Sequence, residues 1–260
     1  MNLCINIGLG ILKIFKLLQT DTKIQYLQLR RNTFGVEGTT LLSEALQKNT
    51  TLKEISLPFN NIRYEDLTIL SKGLQLNSTL TKLNISINSI SVVEMAKISE
   101  ALSINSTIKK LNMTIKCIGF EEMAILSGAL QINTSLTELC ISTTKNRICT
   151  AGTQILFRSL QANSTLTDLK IDCTDIGIEG VHSIASLLEK NSVLRSLDLS
   201  WNNIRNEGAK IISSALKINS TLTTLHLGAN KVSNSGAISL FESLQSNTTI
   251  TELNLTHSKM

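Results

Sequence analysis

Leucine and isoleucine recur along the chain at a nearly constant interval. The same apolar phrase starts at residues 24, 52, 80, 108, 136, 166, 194, 222 and 250, which gives a period of 28 residues with one step of 30. One copy reads Leu194-x-x-Leu197-x-Leu199-x-x-Asn202-x-Ile204. We number the eight full units 1 to 8 from residue 24; residues 1–23 form a partial unit before them, and residues 250–260 form partial unit 9. The pattern predicts a single repeat domain over residues 1–260.

Each unit contains two kinds of apolar spacing, and each spacing predicts one element. Leu197 and Leu199 stand two residues apart, which places them on one face of a short β-strand. After the glycine of the unit, Ile211, Ile212 and Ala215 lie on one stripe of an amphipathic helix. Strands are therefore predicted near residues 27, 55, 83, 111, 139, 169, 197 and 225, with a last one near 253. Neither element can close a core alone, so stacked units bury both stripes against their neighbours.

The turn between each helix and the next strand begins with asparagine. Seven of these residues form N-x-S/T sequons: Asn49, Asn77, Asn105, Asn133, Asn163, Asn219 and Asn247. Asn191 keeps the turn without the sequon. Asparagine tolerates the left-handed conformation that ends many helices, so we expect a structural role here rather than glycosylation.

The phrase L-x-x-L-x-L-x-x-N-x-I/L, followed by a helix at a 28-residue period, resembles the leucine-rich repeat. The length of the unit and its Ala-Leu-containing helix are similar to the ribonuclease-inhibitor-like subtype. The resemblance implies an α/β leucine-rich-repeat solenoid, a horseshoe with a parallel β-sheet on its concave face and α-helices on its convex face. This subtype occurs in ribonuclease inhibitor, NOD-like receptors, Ran GTPase-activating protein and bacterial effectors, so it implies a binding scaffold without choosing a ligand.

In that family the asparagine of the phrase bonds backbone groups and forms a ladder through the stack. We call its place in the unit the ladder position, and the resemblance implies a ladder of Asn32, Asn60, Asn88, Asn202 and Asn230. Other units have Lys116, Thr174 and Ser258 there. In unit 5, two extra residues put either Thr144 or Asn146 at this position. The ladder is expected to be weakest in units 4 to 6. The longer loop of unit 5 is either a feature that gives binding specificity or a tolerated drift of the sequence.

A second set of side chains is expected on the inner surface. We call the residue directly before each ladder position the rim position; it holds Arg31, Phe59, Ile87, Ile115, Thr143, Cys173, Trp201, Ala229 and His257. Phe59, Ile87 and Ile115 predict a contiguous exposed apolar strip and hence an interface. Trp201 is the chain's only tryptophan, a residue type enriched in binding hot spots. The alternative for the strip and for Trp201 is local packing against the loop.

Charged residues are unevenly distributed over the predicted inner surface. Units 6 and 7 have four aspartates there, opposed only by Lys170: Asp168, Asp172, Asp175 and Asp198. Arg30 and Arg31 stand at the other end. This pattern predicts a surface that orients a polar protein partner, unless the charges are merely solvated.

The amino-acid composition disfavours several classes of protein. Hydrophobic residues make up 42% of the chain, which predicts a folded protein, and aromatics only 3%, which disfavours nucleic-acid stacking. The net charge of +5 is spread without a charged run, so we expect no nucleic-acid or membrane partner. No uncharged apolar stretch is long enough to span a membrane. The apolar segment 3–18 is interrupted by Lys13 and Lys16 and lacks a cleavage motif, which disfavours a signal peptide.

The sequence offers no grouped catalytic chemistry. Its five cysteines, an odd number without a C-x-x-C motif, predict reduced thiols and a cytoplasmic location: Cys4, Cys117, Cys140, Cys149 and Cys173. The cysteines and the three histidines, His182, His226 and His257, fall out of register, so we expect neither a metal site nor a cofactor. There is no phosphate-binding G-x-x-x-x-G-K-[ST] motif. We therefore expect no enzyme activity.

Three functions remain open at this point. The first is a non-catalytic protein–protein interaction module that binds a protein on its concave face, as adaptor, inhibitor or sensor region. The second is a GTPase-activating regulator resembling the Ran activator, although the acidic tail of that protein has no counterpart here. The third is a structural spacer. Neither end has an evident polar cap, and residues 1–9 are expected to lack a strand, so self-association through the ends is a further expectation.

Overall fold

A computed structural model describes residues 2–4, 10–33, 35–88, 90–143, 150–172 and 176–257, with the backbone alone at 2–4, 59, 61 and 64. Strands and helices alternate along it. The strands are β1 (Asn2–Cys4), β2 (Tyr26–Gln28), β3 (Glu54–Ile62), β4 (Lys82–Ile87), β5 (Lys110–Ile115), β6 (Glu138–Thr143), β7 (Asp168–Asp172), β8 (Ser196–Asp198), β9 (Thr224–His226) and β10 (Glu252–Asn254). The helices are α1 (Gly10–Leu18), α2 (Gly35–Lys48), α3 (Tyr64–Leu76), α4 (Val92–Ile104), α5 (Phe120–Ile132), α6 (Thr150–Leu160), α7 (Gly177–Lys190), α8 (Arg205–Leu216) and α9 (Asn234–Leu244).

The strands form one parallel sheet whose order follows the chain from β1 to β10. Equivalent leucines are register partners on neighbouring strands, as Leu197 and Leu225 are, and both are fully buried against the helix layer. Consecutive helices pack side by side along the stack. The nine predicted strand positions are confirmed, and the fold is the α/β leucine-rich-repeat horseshoe, with the sheet on the concave face.

The first strand corrects one expectation. Residues 1–9 were expected to lack a strand, yet β1 pairs in parallel with β2, and Leu3 is the register partner of Leu27. These two leucines are 24 residues apart rather than 28. An alignment at the 28-residue period therefore misses β1.

The rim position adopts two backbone conformations, and this corrects the predicted apolar strip. Arg31, Trp201 and Ala229 have φ angles of 56°, 62° and 56°, and each follows a strand of only three residues. Strands β4 and β5 instead run for six residues and end at Ile87 and Ile115. Alternation along these strands turns both isoleucines into the core, where they are 2% and 0% exposed. Ile87 and Ile115 are therefore core residues, and their predicted exposure was wrong.

Branching at Cβ favours the extended conformation at two of these positions, but it is not the only determinant, because the unbranched Phe59 also lies within a strand. A β-branched residue is strained at positive φ, so Ile87 and Ile115 continue the strand, whereas Arg31 and Trp201 can turn out of it. Phe59 lies within β3, but its side chain is outside the described residues.

The helix starts differ between the same units. In unit 7, a Cβ on Gly208 would lie 2.6 Å from the Ile204 side chain, so that position requires glycine. Units 2, 3 and 4 have Asp66, Glu94 and Glu122 there instead. Their carboxylates accept hydrogen bonds from the backbone N–H groups of Arg63, Ser91 and Gly119, which satisfies donors at the helix start. In units 3 and 4 two changes in sequence thus accompany the longer strands, whereas β6 is equally long and is followed by glycine, Gly152, at the helix start.

The asparagine of each helix-to-strand turn forms a buried ladder of its own. Asn105 is 5% exposed; its amide donates to the carbonyls of Leu74 (2.8 Å) and Asn77 (3.0 Å) in the preceding unit, and its oxygen accepts from Thr107 and Ile108. Its backbone is extended, with φ −68° and ψ 125°, so the expected left-handed conformation was wrong. Asparagine is required here because one side chain both donates to one unit and accepts from the next.

Candidate functional site

The concave face is lined by polar side chains that alternate with the buried leucines. Strand β7 illustrates the pattern: Leu169 and Ile171 are buried, while Asp168, Lys170 and Asp172 point to the opposite face. Because the strands are parallel and in register, equivalent side chains from neighbouring units stand in rows across the sheet. The face can therefore be described row by row.

Lys170 lies between two of the predicted aspartates. Its Nζ is 2.9 Å from the carboxylate of Asp198 on the neighbouring strand and 3.3 Å from that of Asp172 on its own strand. Burial alone would lower the pKa of Lys170, but hydrogen bonding and attraction to Asp198 outweigh it and raise the pKa. Burial would likewise raise the pKa of Asp198, and hydrogen bonds from Ser200 and Lys170 overcome that effect and lower it.

This row of polar contacts continues onto the last two strands. His226 Nδ1 is 4.0 Å from Asp198, and Nε2 is 3.1 Å from Glu252 on β10. Contacts therefore run from Lys170 through Asp198 and His226 to Glu252, across four strands. Aligning the units by sequence could have shown that His226 stands beside Asp198, since the two are 28 residues apart.

A second row carries unbalanced negative charge between units 5 and 6. Glu138 and Asp168 are register partners on β6 and β7. Glu138 is 2.5 Å from Lys110, and this contact raises the pKa of Lys110. Asp168 accepts a hydrogen bond of 2.6 Å from the Thr167 hydroxyl, and no ion pair joins it to a cation among the described side chains.

These two rows surround a shallow depression of about 220 Å³ on the concave face. Its polar lining comes from five adjacent strands: Asn112, Glu138, Cys140, Asp168, Lys170, Ser196, Asp198 and His226. Burial raises the pKa of the Cys140 thiol, so this side chain is neutral at pH 7 and adds no charge. The depression combines three carboxylates with one lysine and is therefore acidic.

Trp201 lies at the rim of this half of the molecule. Its side chain is 61% exposed, which argues against the alternative that it packs locally against the loop. Its backbone N–H donates to the carbonyl of Gly228 (3.0 Å), which ties the loop to the next unit. The indole is thus presented to solvent from a held backbone.

The loop below Trp201 is held by ladder asparagines. Asn202 and Asn230 are fully buried, and the Asn202 amide donates to the carbonyls of Ile171 (2.6 Å) and Leu199 (2.9 Å). The Asn230 oxygen accepts from the backbone N–H of Asn202 (2.8 Å). These bonds connect the loop that contains Trp201 to the unit before it and to the unit after it.

The remaining ladder positions divide into two groups. Asn32 and Asn60 are buried and bonded to each other at the N-terminal end. Asn88 and Lys116 are exposed, because their strands continue through the rim position. Asn88 is therefore not part of the buried ladder, which corrects the prediction. Thr144, Asn146, Thr174 and Ser258 lie outside the described residues.

The N-terminal half of the concave face differs in charge. Arg30 and Arg31 are exposed, and Lys82 and Lys110 are register partners. Glu54 pairs with Lys82 at 3.0 Å and offsets part of this charge. The predicted gradient from basic to acidic is present in the described side chains; Asp175 and Cys173 fall outside them.

Two properties of the described residues limit the chemistry. Within the described ranges, no three His, Cys, Asp or Glu side chains are grouped so that they could hold a metal ion. None of the described helices has the length and apolar character needed to cross a bilayer.

Comparison with known proteins supports the repeat and the fold. Residues 162–185, 190–213 and 219–241 match the family model described as Leucine Rich repeat. No curated protein matches the sequence.

Solved structures share the architecture at low sequence identity. The leucine-rich repeat-containing protein LegL7 from Legionella pneumophila aligns with a TM-score of 0.61 and 20% identity over 89% of this chain and 73% of that protein. A Bacteroides fragilis protein aligns with a TM-score of 0.59 and 13% identity over 94% of this chain and 70% of that one. The C-terminal domain of Caenorhabditis elegans tropomodulin aligns less well, with a TM-score of 0.46 and 18% identity over 60% of this chain and 93% of that one. At these identities the likeness concerns the fold alone.

Proposed function

We propose that the chain is a non-catalytic protein-interaction module that binds a protein partner on its concave face. The observation that carries this proposal is the exposure of Trp201, which follows by three residues Asp198 in the lining of the acidic depression. An exposed indole on a held backbone loses little conformational freedom on binding, and it can bury a large apolar area. The carboxylates of the depression would attract and orient a partner that presents basic side chains.

The module could act as an adaptor, an inhibitor or a sensor region, all of which require the same surface. We assign its repeats to the ribonuclease-inhibitor-like subtype on their 28-residue period and on the full α-helix in each unit. Neither of the described cysteines Cys117 and Cys140 forms a disulfide, which supports our assignment of the chain to a reducing, cytoplasmic compartment.

The GTPase-activating alternative requires an asparagine that can reach a partner's active site. Asn202 and Asn230 are fully buried, with their amides bonded to backbone carbonyls. Releasing either one would leave buried carbonyl groups without donors, at a cost of about 1–3 kcal/mol each. The ladder asparagines therefore favour a structural role over this alternative.

Affinity capture from the native cell, compared between variants, tests the proposal. Trp201→Ala should lose the captured protein, with a fall in affinity of about 2 kcal/mol or more. Ile104→Ala is the matched control, since Ile104 is 59% exposed on a convex helix and lies away from the site. A spacer would capture nothing specific, and full capture by Trp201→Ala would show that the site is wrong.

A second measurement tests the acidic depression with the captured partner. Asp168→Asn together with Asp198→Asn should slow association, and raising the salt concentration should reduce the difference from the unmodified chain. Emission from Trp201 can follow binding directly because the chain has one tryptophan. Equal association rates for both proteins at low salt would exclude electrostatic steering by these carboxylates.

A further inference from the structure

Three neighbouring helices end on an exposed apolar residue at the same position of the repeat. Leu76, Ile104 and Ile132 are the last residues of α3, α4 and α5, and they are 60%, 59% and 63% exposed. We call these three residues the helix-end row. It lies on the edge of the horseshoe where helices end and strands begin, opposite the edge on which Trp201 lies.

The same position is polar or small in most other units. Lys48 and Lys190 end α2 and α7, and each donates a hydrogen bond to a glutamine of the preceding repeat, at 3.0 Å and 3.4 Å. Leucine and isoleucine cannot make this bond. Ile218 is also exposed, but its equivalents in units 6 and 8 are Lys190 and Ser246. Only units 2 to 4 therefore place large apolar side chains next to one another at this position.

The turns that follow hold the helix-end row on a fixed backbone. Each of its residues precedes a buried turn asparagine, which is Asn77, Asn105 or Asn133. The Asn133 amide donates to the Leu102 carbonyl of the preceding unit at 2.6 Å, as the Asn105 amide does to that of Leu74. Because the main chain is already ordered, binding of a ligand to these side chains costs little additional conformational entropy.

Lysines supply the charge on this edge. The segments that join α2 to α5 to the following strands are residues 48–53, 76–81, 104–109 and 132–137. They contain no acidic residue and three lysines, Lys48, Lys53 and Lys109. Among the described side chains, no ion pair joins Lys53 or Lys109 to a carboxylate, and Glu138 pairs with Lys110 instead. This edge is therefore basic.

Arg195 shows how far a side chain at the position of Lys109 extends. The two residues are equivalent in units 7 and 4, and the Arg195 guanidinium donates to the Thr221 carbonyl at 3.1 Å. Thr221 lies in the turn directly after Ile218 in the same unit. The corresponding turn for Lys109 is the one after Ile132. Lys109 can therefore reach a carboxylate on a ligand that lies along the helix-end row.

The spacing of the helix-end row fits an α-helix that lies across it. Packed helices are about 8–10 Å apart, so the row advances by about that distance from one member to the next. Seven residues of an α-helix advance about 10 Å and return to nearly the same face. In an extended strand, residues on one face recur about every 6.6 Å, which does not match. A helix with an apolar residue at every seventh position would therefore contact all three members.

Polar residues border the helix-end row on both sides. In the turns, Ser78, Ser106 and Thr134 are exposed, and one helical turn before the row Lys72 and Glu100 are exposed. The apolar surface is therefore elongated and only one side chain wide. A bilayer would contact a broader apolar area, so this shape favours a helical protein segment over a membrane surface.

We propose that the helix-end row binds an amphipathic helix of a protein partner. This helix has an apolar residue at every seventh position and acidic residues on the flank that faces Lys53 and Lys109. Recognition combines burial of the three apolar side chains with charge complementarity to lysines that no described carboxylate pairs. The surface is separate from the concave site, so the chain can hold two partners at once.

Selection from a display library of helical peptides on the full chain tests the proposal. Peptides that bind the unmodified chain are counter-selected on a triple variant with Leu76→Ser, Ile104→Ser and Ile132→Ser. This variant should fold, as circular dichroism would verify, since the three side chains are exposed and Ser246 occupies the same position in unit 8. Peptides that bind only the unmodified chain should share the seven-residue apolar period and flanking acidic residues. The absence of such peptides, or a different pattern in them, would overturn the proposal.

Fluorescence anisotropy with one selected peptide supplies the matched controls. The triple variant should bind it at least about tenfold more weakly than the unmodified chain does. Ile218→Ser alters the isolated exposed residue at the same repeat position and should leave the affinity unchanged. Lys109→Glu should also weaken binding, and a peptide with lysine in place of its acidic residues should restore it. Equal losses for the triple variant and Ile218→Ser would contradict the proposal.

Two further measurements distinguish this surface from its alternatives. Trp201→Ala should bind the peptide unchanged, because Trp201 lies on the opposite edge, and the triple variant should in turn retain a partner that depends on Trp201. Loss of the peptide by Trp201→Ala would assign it to the concave site and overturn the proposal. Vesicles with anionic lipid should not bind the unmodified chain. Vesicle binding that the triple variant abolishes would identify a membrane-contacting surface and would also overturn the proposal.

Discussion

Lys170 Nζ lies 2.9 Å from the Asp198 carboxylate, and the two residues are register partners on neighbouring strands. Their side chains are 43% and 18% exposed, so the carboxylate is the more deeply buried member of the pair. The pair connects units 6 and 7 on the face that we propose binds a partner. Removing the lysine would leave Asp198 partly buried beside Asp172.

Replacing this lysine should change how stability depends on pH. We expect Lys170→Met to raise the pKa of Asp198, because burial would persist while one hydrogen bond and one positive charge would be lost. A lowered pKa in the folded state stabilises the fold above the ordinary value of 3.8, and this contribution disappears as the pH falls through the folded pKa. The stability difference between the two proteins should therefore be about 0.5–1 kcal/mol at pH 7, given the exposure of Lys170, and vanish in acid.

Urea unfolding between pH 2 and 7, together with NMR titration of Asp198, would measure both effects. Lys97→Met is the control, since Lys97 pairs with Glu100 at 3.1 Å on an exposed helix surface. It should leave the titration of Asp198 unchanged. A stability difference for Lys170→Met that persists undiminished at the acid end would contradict the linkage.

The ladder asparagines should differ sharply in their contribution to stability. Asn202→Ala removes the donor to the carbonyls of Ile171 and Leu199 and should cost about 2–3 kcal/mol. Asn88→Ala alters the exposed member of the series and should stay within about 0.5 kcal/mol. Chemical denaturation of both variants measures the contrast, and equal losses would return Asn88 to the ladder.

The two conformations of the rim position predict opposite outcomes for similar truncations. Ile115→Ala should cost about 2–5 kcal/mol, because it opens a cavity in the core. Trp201→Ala should change the melting temperature little, since Ala229 already occupies the equivalent backbone, with φ 56°. Thermal unfolding compares the two, and a drop of several degrees for Trp201→Ala would identify its indole as loop packing.

The repeat period was sufficient to predict the strands, the helices and their order, because these depend on apolar spacing that every unit shares. The path of each loop depends instead on side chains that differ between units. Ile115 was placed on the surface by alignment with Trp201, although its branched Cβ and the Glu122 at the next helix start both signalled a longer strand. The contact of His226 with Glu252 could not be read from an alignment, since it joins different positions of the repeat.

The asparagines of the helix-to-strand turns give a further test. Asn105→Ala removes the two bonds it donates and the two it accepts, so it should cost about 3 kcal/mol. Ser106→Ala alters its exposed neighbour and should cost much less. Because the Asn105 amide is buried, the folded chain should also resist glycosylation at this sequon, which peptide mapping after treatment with an oligosaccharyltransferase would show.

Local stability should fall toward β10. Leu253 and Leu255 are only partly buried, whereas their equivalents in unit 8, Leu225 and Leu227, are fully buried. Amide hydrogen exchange should therefore be faster in β10 than in β8. Slower exchange in β10 than in β8 would contradict the expectation.

The shape of the horseshoe's rim is determined separately in each unit. At Ala229 the chain turns outward. At Ile115 the strand continues instead and the side chain points into the core. Exchanging Ala229 for isoleucine and Gly236 for glutamate would therefore reshape the loop only if helix α9 also shifted, because a Cβ on Gly236 would lie 3.0 Å from Cα of Asn206. Neighbouring units would keep their register because the strand leucines are untouched. A scaffold of this kind can vary the contour it offers to a partner through the loops of single repeats while the sheet beneath them stays the same.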